Sequence, residues 1–432
     1  MSKVEFHYNR LQAVKNGLQE QDKVFLSELY YRRLILLEDA YFNYYEQEYE
    51  TLQDFVRNKL SKLMELSLIT TETIHDEWDK DFYIICLASD GVGVVRQILD
   101  LPNNVITKNN VVLERHYWRA CNLRPKDYQI ERKAKLSHLI CEIERCLPPD
   151  VKYKWTEHLF FKDYMKFSGS DGVLQLLGID IHFHYIKREN DFKKMATHTY
   201  AKYVEELGRF HEREVMVIFI VEKEEWQFSL FPLLMDSLKD HYHHLIDYTI
   251  LTPRRALEFV CSHLALRSHE QYAKEEKILR RVYSQFNRLQ LTPVQPSDKA
   301  KQILQPSYRY KGVFAESNKY GEDKFLYPLT VESFFSLNTF FGFSNLINTN
   351  VKIMRTFTKT YATSLVVLPN ALFYSECFPK TLTVLNLSRN SLIAFTTLDR
   401  LESSNSFKEA FAYYKDGEEK LYVGLPNPKL AY

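Results

Sequence analysis

The sequence predicts a multidomain protein of mixed α+β and α/β class, and three observations carry that expectation. Residues 22–100 pass from apolar residues at three- and four-residue steps into two short alternating runs, then return to a helix. Residues 172–221 hold two adjacent strand-like runs, a polar helical stretch and an almost wholly apolar run, EVMVIFIV, over 214–221. Residues 307–432 are rich in Tyr, Phe, Ser, Thr and Asn and follow a proline-bearing linker over 293–306. Domains are therefore expected over 1–100, 101–292 and 307–432.

In chain order, residues 1–20 are polar and read as a loosely held arm. Phe25, Leu26, Leu29, Leu34 and Leu37 then repeat at helical spacing, and a second helical patch covers 37–45. Thr51 with Asp54 three residues on reads as an N-cap. The helix it opens turns Leu52, Phe55, Val56, Leu60, Leu63 and Met64 inward, and Gln53, Arg57, Asn58, Ser61 and Lys62 outward. Two strands follow over 68–74 and 82–87, joined by the polar turn HDEWDKD, and a helix over 89–99 closes the unit. Three helices, a ribbon and a closing helix make a winged helix-turn-helix. Its third helix enters the major groove of double-stranded DNA, where Arg57 and Lys62 reach phosphates and guanine and Asn58 an adenine.

A connector over 101–128 leads to a helix over 129–146 carrying His138, which Pro148 and Pro149 end. In the strand over 179–187, Ile179, Ile181, Phe183 and Tyr185 share one face. A helix over 190–207 and the buried strand 214–221 follow. Strand, strand, helix, buried strand is the order of a restriction-endonuclease-like core. Such a core gathers Mg²⁺ with carboxylates and places a lysine near the attacking water. Asp171 holds the position of the metal-binding carboxylate, Glu157 is the second acid, reaching in from the preceding helix, and Lys187 is the lysine. Two residues before Lys187, however, stands Tyr185 where a carboxylate is expected; Gln175 and Asp180 lie off the spacing. The signature is broken, which turns the reading away from an enzyme.

At this point the chain resembles the replication-relaxation family of plasmid and mobile-element proteins, over residues 22–230. The resemblance rests on FYIICLASDGVGVVRQIL, the helix KLSHLICEIE, the Trp155-x-Glu157 turn, the strand SDGVLQL, and Lys202-Tyr203. It implies a DNA-binding protein acting in plasmid replication, its control, relaxation or conjugative transfer, with replication or transfer proteins as partners. His184, Tyr185 and Ile186 stand where the family carries carboxylates.

Beyond 230, HYHH (His241, His243, His244) offers no converging ligand spacing. Arg280, Arg281 and Arg288 sit on a charged amphipathic helix where phosphates or plain solvation explain them. In the last domain, aromatics interleave with cations (Tyr308, Arg309, Tyr310, Lys311; Lys352, Arg355, Lys359, Tyr361), a pattern shared by base-stacking surfaces and ordinary packing. LTVLNLSRNSL imitates a leucine-rich repeat once and does not recur.

Composition bounds the rest. With 45% hydrophobic and 14% aromatic residues in 432, the chain buries a core. A net charge of +1 gives no global attraction to nucleic acid, so any binding is local. Twelve glycines form no phosphate loop, which excludes a P-loop ATPase. Six cysteines without CxxC pairing, no signal core and no apolar run near 20 residues indicate a cytoplasmic protein without membrane contact. Three functions remain: a DNA-binding protein, a Mg²⁺-dependent nuclease or relaxase (with Tyr185 as an alternative nucleophile), and a protein-interaction module, including a homodimer.

Overall fold

The computed structural model describes residues 3–75, 81–101, 107–108, 111–112, 123–160, 170–190, 192, 214–238, 245–265, 269–295, 297–304, 311–316, 324–332, 336–357, 360–368, 380–382, 393–415 and 418–421. The class is mixed α+β. The chain divides into two compact units, Met1–Lys187 and Arg188–Tyr432, so the division falls inside 101–292 rather than at its ends. Among the described residues no helix is long and apolar enough to cross a membrane.

The first unit opens on α1 (Lys3–Gly17), where a loose arm was expected. Leu11 is the reason: it is buried, and a Cβ on Gly93 would lie 2.6 Å from its Cδ1, so α1 needs a glycine opposite it. Helix α2 (Glu20–Arg32) ends earlier than the apolar spacing suggested. Arg33 turns left-handed at φ 72°, and Leu34 lies in β1 (Leu34–Leu36) instead of continuing the helix. A 37–45 helix (α3) follows, finishing in a π turn, Tyr41–Tyr45. Helix α4 spans 52–65; the Thr51 hydroxyl accepts from the Asp54 N–H at 3.1 Å, as expected of a cap. Its middle turn, Val56–Leu60, is also π.

Strands β2 (Ile69–His75) and β3 (Asp81–Leu87) form the ribbon, and α5 (Ser89–Ile98) closes it. All pairing is antiparallel in the order β1-β3-β2. One sheet face and the helices share a core around Phe25, Leu29, Tyr45 and Phe55, the last two rings stacked at 4.8 Å. Met64, expected inward, is 42% exposed. In its place Lys59 turns inward, its ammonium 2.9 Å from the buried carboxylate of Asp22. Residues 76–80 of the wing turn lie outside the described residues.

The other sheet face carries Leu34, Leu36, Ile84 and Cys86, which pack on Ile130 and Ala134. Both belong to α6 (Asp127–Cys146), reached after the small pair β4 (Thr107–Lys108) and β5 (Val111–Val112). After α6 comes an antiparallel meander: β6 (Tyr153–Glu157), β7 (Gly172–Leu176) and β8 (Ile179–Ile186). Gly178 at φ 85° makes the tight β7–β8 turn. Every residue of β8 is buried, including Asp180, His182 and His184, so the strand is covered on both faces and not on the single apolar face expected.

In the second unit β9 (Val215–Val221), wholly buried, pairs in parallel with β10 (Ile246–Leu251), as its apolar run foretold. Helix α7 (Glu224–Leu238) joins them. The helix expected over 190–207 lies almost wholly outside the described residues, and so do His241, His243 and His244. Thr252 and Pro253 start α8 (Pro253–Glu258), which continues as a π turn to Ala265.

Helix α9 (His269–Arg288) leads directly into β11 (Leu291–Pro293), and 293–306 is therefore no free linker. Val294 donates to Val313 O at 2.9 Å, and α10 (Asp298–Leu304) fills the segment. Strands β12 (Gly312–Glu316), β13 (Lys324–Val331), β15 (Ser364–Leu368), β16 (Ile393–Thr397), β17 (Ala412–Lys415) and β18 (Glu418–Leu421) complete a mixed sheet in that order, with β14 (Thr360–Ala362) also on β13. Helix α11 (Leu337–Thr356) precedes β14; α12 (Leu398–Ser403) and α13 (Phe407–Ala410) follow β16. Arg281 pairs with Glu402 and Arg288 donates to Leu401 O and Glu402 O, so both are committed to α12. Tyr308–Tyr310, Lys359 and most of the leucine-rich stretch lie outside the described residues.

One order of elements occurs twice along the chain. A 20-residue helix, an antiparallel three-strand meander, a parallel pair and a threonine-initiated helix run from 127 to 258 and again from 269 to 403. The registers agree in detail. Gly172 opposes Phe183 and Gly312 opposes Leu329. The preceding residue donates its N–H to that same partner: Asp171 to Phe183 O at 2.8 Å, Lys311 to Leu329 O at 2.7 Å. Its own carbonyl accepts from the leading helix, from Lys133 at 3.0 Å and from Tyr283 at 2.7 Å. The helix and meander of residues 127–186 and of 269–331 are thus two versions of one architecture.

Candidate functional site

The meander brings two of the three residues expected of a nuclease together. Glu157 ends strand β6 and does not come from a helix as expected; Asp171 immediately precedes β7, and His158 donates its N–H to Asp171 O at 3.0 Å, which ties the two strand ends. Gly172 makes the approach possible: a Cβ there would lie 2.2 Å from the Trp155 ring, which itself stands edge-on to Phe183.

The space beside the carboxylates is filled with cations. Lys133 of α6 lies 2.5 Å from Glu157 Oε1 and 3.4 Å from Asp171 Oδ1. Arg33 reaches Glu157 Oε1 at 3.2 Å, and Arg132 reaches Asp171 Oδ1 at 3.0 Å. The remaining oxygens accept main-chain N–H groups, Glu157 Oε2 from Leu159 at 2.7 Å and Asp171 Oδ2 from Tyr185 at 2.8 Å. All four carboxylate oxygens are engaged, and two negative charges face three positive ones. Burial alone would raise the Asp171 pKa, but Lys133 and Arg132 outweigh it and hold the carboxyl below its ordinary value. Burial pushes His184 down to about 4, so it stands neutral behind the site.

Lys187 does not join this group. Its ammonium lies 2.6 Å from Glu131, which Lys135 also contacts at 2.8 Å. Gln175 bonds Asp180 at 3.1 Å and takes no part. Tyr185 is 4% exposed and contributes its main-chain N–H, a poor position for a nucleophile. The residues present do not fit Mg²⁺: where a divalent ion would bridge Glu157 and Asp171, the Lys133 ammonium already does so. Among the described residues no cluster of three or more His, Cys, Asp or Glu side chains is placed to hold a metal. In the second version of the architecture the position of Asp171 is occupied by Lys311, which removes the metal-binding acid altogether.

Lys133, Arg132 and Arg33 were not anticipated from the sequence. Lys133 could have been: it falls among Ile130, Ala134, Ser137 and Cys141 on the buried stripe of α6, where a lysine needs a carboxylate partner. Arg33 carried no such signal, because its side chain is aimed by a left-handed backbone.

The second candidate is helix α4. Gln53, Arg57, Asn58 and Lys62 are exposed on its outer face, as expected. Among the described residues, no ion pair or side-chain hydrogen bond occupies Arg57 or Lys62. Ser61 is half-buried and its hydroxyl donates to Val56 O at 2.9 Å, closing the π turn instead of facing outward.

No family model, curated protein or solved structure matches the chain.

Proposed function

We propose that the chain binds double-stranded DNA through α4 and acts in the cytoplasm in replication, its control or transfer of a plasmid, phage or other mobile element. The observation that carries this reading is the division of α4 into two faces. Phe55, Lys59, Leu60 and Leu63 are buried, while Gln53, Arg57, Asn58 and Lys62 point to solvent, and among the described residues Arg57 and Lys62 make no ion pair. The order of helices and strands around it, with the sheet sequence β1-β3-β2, agrees with a winged helix-turn-helix, in which this helix enters the major groove. The mobile-element assignment rests on the resemblance of residues 22–230 to replication-relaxation proteins. The order of 127–251 agrees with a restriction-endonuclease-like scaffold, and its lysine-bridged carboxylates favour binding over cleavage.

The test is a plasmid assay with Mg²⁺ or Mn²⁺, read for mobility shift and for nicking. Wild type should shift DNA without nicking it, and Arg57→Ala with Lys62→Ala should abolish the shift. Metal-dependent nicking lost in Asp171→Ala would overturn the scaffold reading, and absence of any shift would overturn the DNA reading.

A further inference from the structure

The outer face of α4 does not stop at its polar residues. Beyond the π turn, Met64 is exposed as Arg57, Asn58 and Lys62 are. Met64 is 42% exposed and Leu66 44%, two large apolar side chains in solvent at the end of the helix. The Thr71 hydroxyl lies 4.0 Å from the Met64 sulfur, which joins the helix end to strand β2. Thr71 and Thr73 alternate onto one face of the ribbon, and Thr73 stands directly opposite Tyr83, which is 55% exposed. Both threonines are exposed. Met64, Thr71, Thr73 and Tyr83 thus run as one exposed strip from the helix onto the wing, and Arg57 and Lys62 are exposed on the same helix.

We infer that this strip contacts the 5-methyl groups of thymines, and that the DNA site it reads contains A·T pairs beside the Asn58 contact. This inference rests on the DNA-binding reading above. The helix carries both kinds of group that an A·T pair offers partners to. Asn58 and Gln53 carry the amide that pairs bidentately with adenine, and an apolar side chain is what recognises the thymine methyl across the pair. Flanking cations draw a polyanion toward the strip, whereas an apolar protein partner would leave them without partners. A thioether and a threonine methyl are also well shaped for a single methyl group, since neither imposes a planar stack.

The experiment uses the full chain and a randomised duplex library, followed by replacement of each thymidine in the selected site by deoxyuridine, which deletes only the methyl. At least one replacement should weaken binding about fourfold, the effect of one buried methyl group. Met64→Ala should erase that difference between thymine and uracil, while leaving the salt dependence of binding unchanged. A selected site indifferent to every uracil, or a Met64→Ala variant that keeps the discrimination, overturns the inference and leaves the DNA reading intact. Failure to select any sequence sinks both. A wild-type dimer in sedimentation that Met64→Ser dissociates would give the strip to a second copy of the chain and also overturn the inference. Thermal melts of the variants confirm that folding is unchanged, as expected for exposed side chains.

Discussion

Lys133 and Glu157 face each other at 2.5 Å in the interior of the first unit, one from a helix and the other from the end of a strand. The same ammonium touches Asp171, so one side chain bridges both buried carboxylates.

Removing that lysine leaves two carboxylates short of positive charge in a dry site. Lys133→Met should destabilise the protein by about 3–5 kcal/mol, measured by urea denaturation. Adding Glu157→Gln to that variant should recover part of the loss, because the orphaned charge is then gone. If Lys133→Met alone were neutral, the ion pair would not hold the meander as described.

Gly172 sets a steric test. Gly172→Ala should cost about 1–3 kcal/mol, since the new methyl meets the Trp155 ring at 2.2 Å. Trp155→Leu should relieve much of that loss in the double variant. Equal stability of Gly172→Ala and wild type would show that Trp155 can move aside.

Two histidines give opposite pH dependence. The hydrogen bond to Asp39 raises the His138 pKa above 6.5. Its contribution is complete below pH 6.5 and lost as pH rises through the folded value. His184, buried and held neutral, has its pKa lowered from 6.5 to about 4. Its contribution is complete above pH 6.5 and lost as pH falls toward 4, up to roughly 3 kcal/mol. Denaturation midpoints across pH 4.5–8.5 should therefore lose their alkaline decline in His138→Gln and their acid decline in His184→Gln. Superimposable curves would refute both assignments.

On the proposed DNA face, Arg57→Ala should cost about 1–3 kcal/mol of specific affinity. Lys62→Ala should lower the salt slope by about one while weakening all sequences alike. Lys59→Ala should act differently from both, lowering stability through the buried Asp22. Fluorescence anisotropy at several salt concentrations, paired with thermal melts, separates the three; an Arg57→Ala variant with unchanged affinity would remove α4 from the interface.

Much of this was legible in the sequence, for identifiable reasons. The apolar run over 215–221 could only be a strand covered on both faces, and Thr51 with Asp54 marked the start of α4. The meeting of Glu157 with Asp171 was legible, but not its route: Glu157 ends strand β6 and does not reach in from a helix. What filled their site was not legible, because a lysine inside ERKAKLSH looks like any lysine on a charged helix. Strand β1 was hidden for a different cause. Three residues, Leu34–Leu36, continue the helical spacing of α2, and only the left-handed Arg33 breaks it. Helix α1 has one buried anchor, Leu11, too little for a periodic signal.

The repetition of one architecture within a single chain creates a sorting problem at the ribosome. Two meanders of the same register have strands that each could mistake for its own. Order of synthesis separates them. The tight turn at Gly178 lets β7 and β8 of the earlier version zip together in microseconds, whereas β12 and β13 are still more than a hundred residues from being made, seconds away at about 5–20 residues per second. The first meander is finished before its look-alike exists, so the order of synthesis keeps the two apart on the nascent chain.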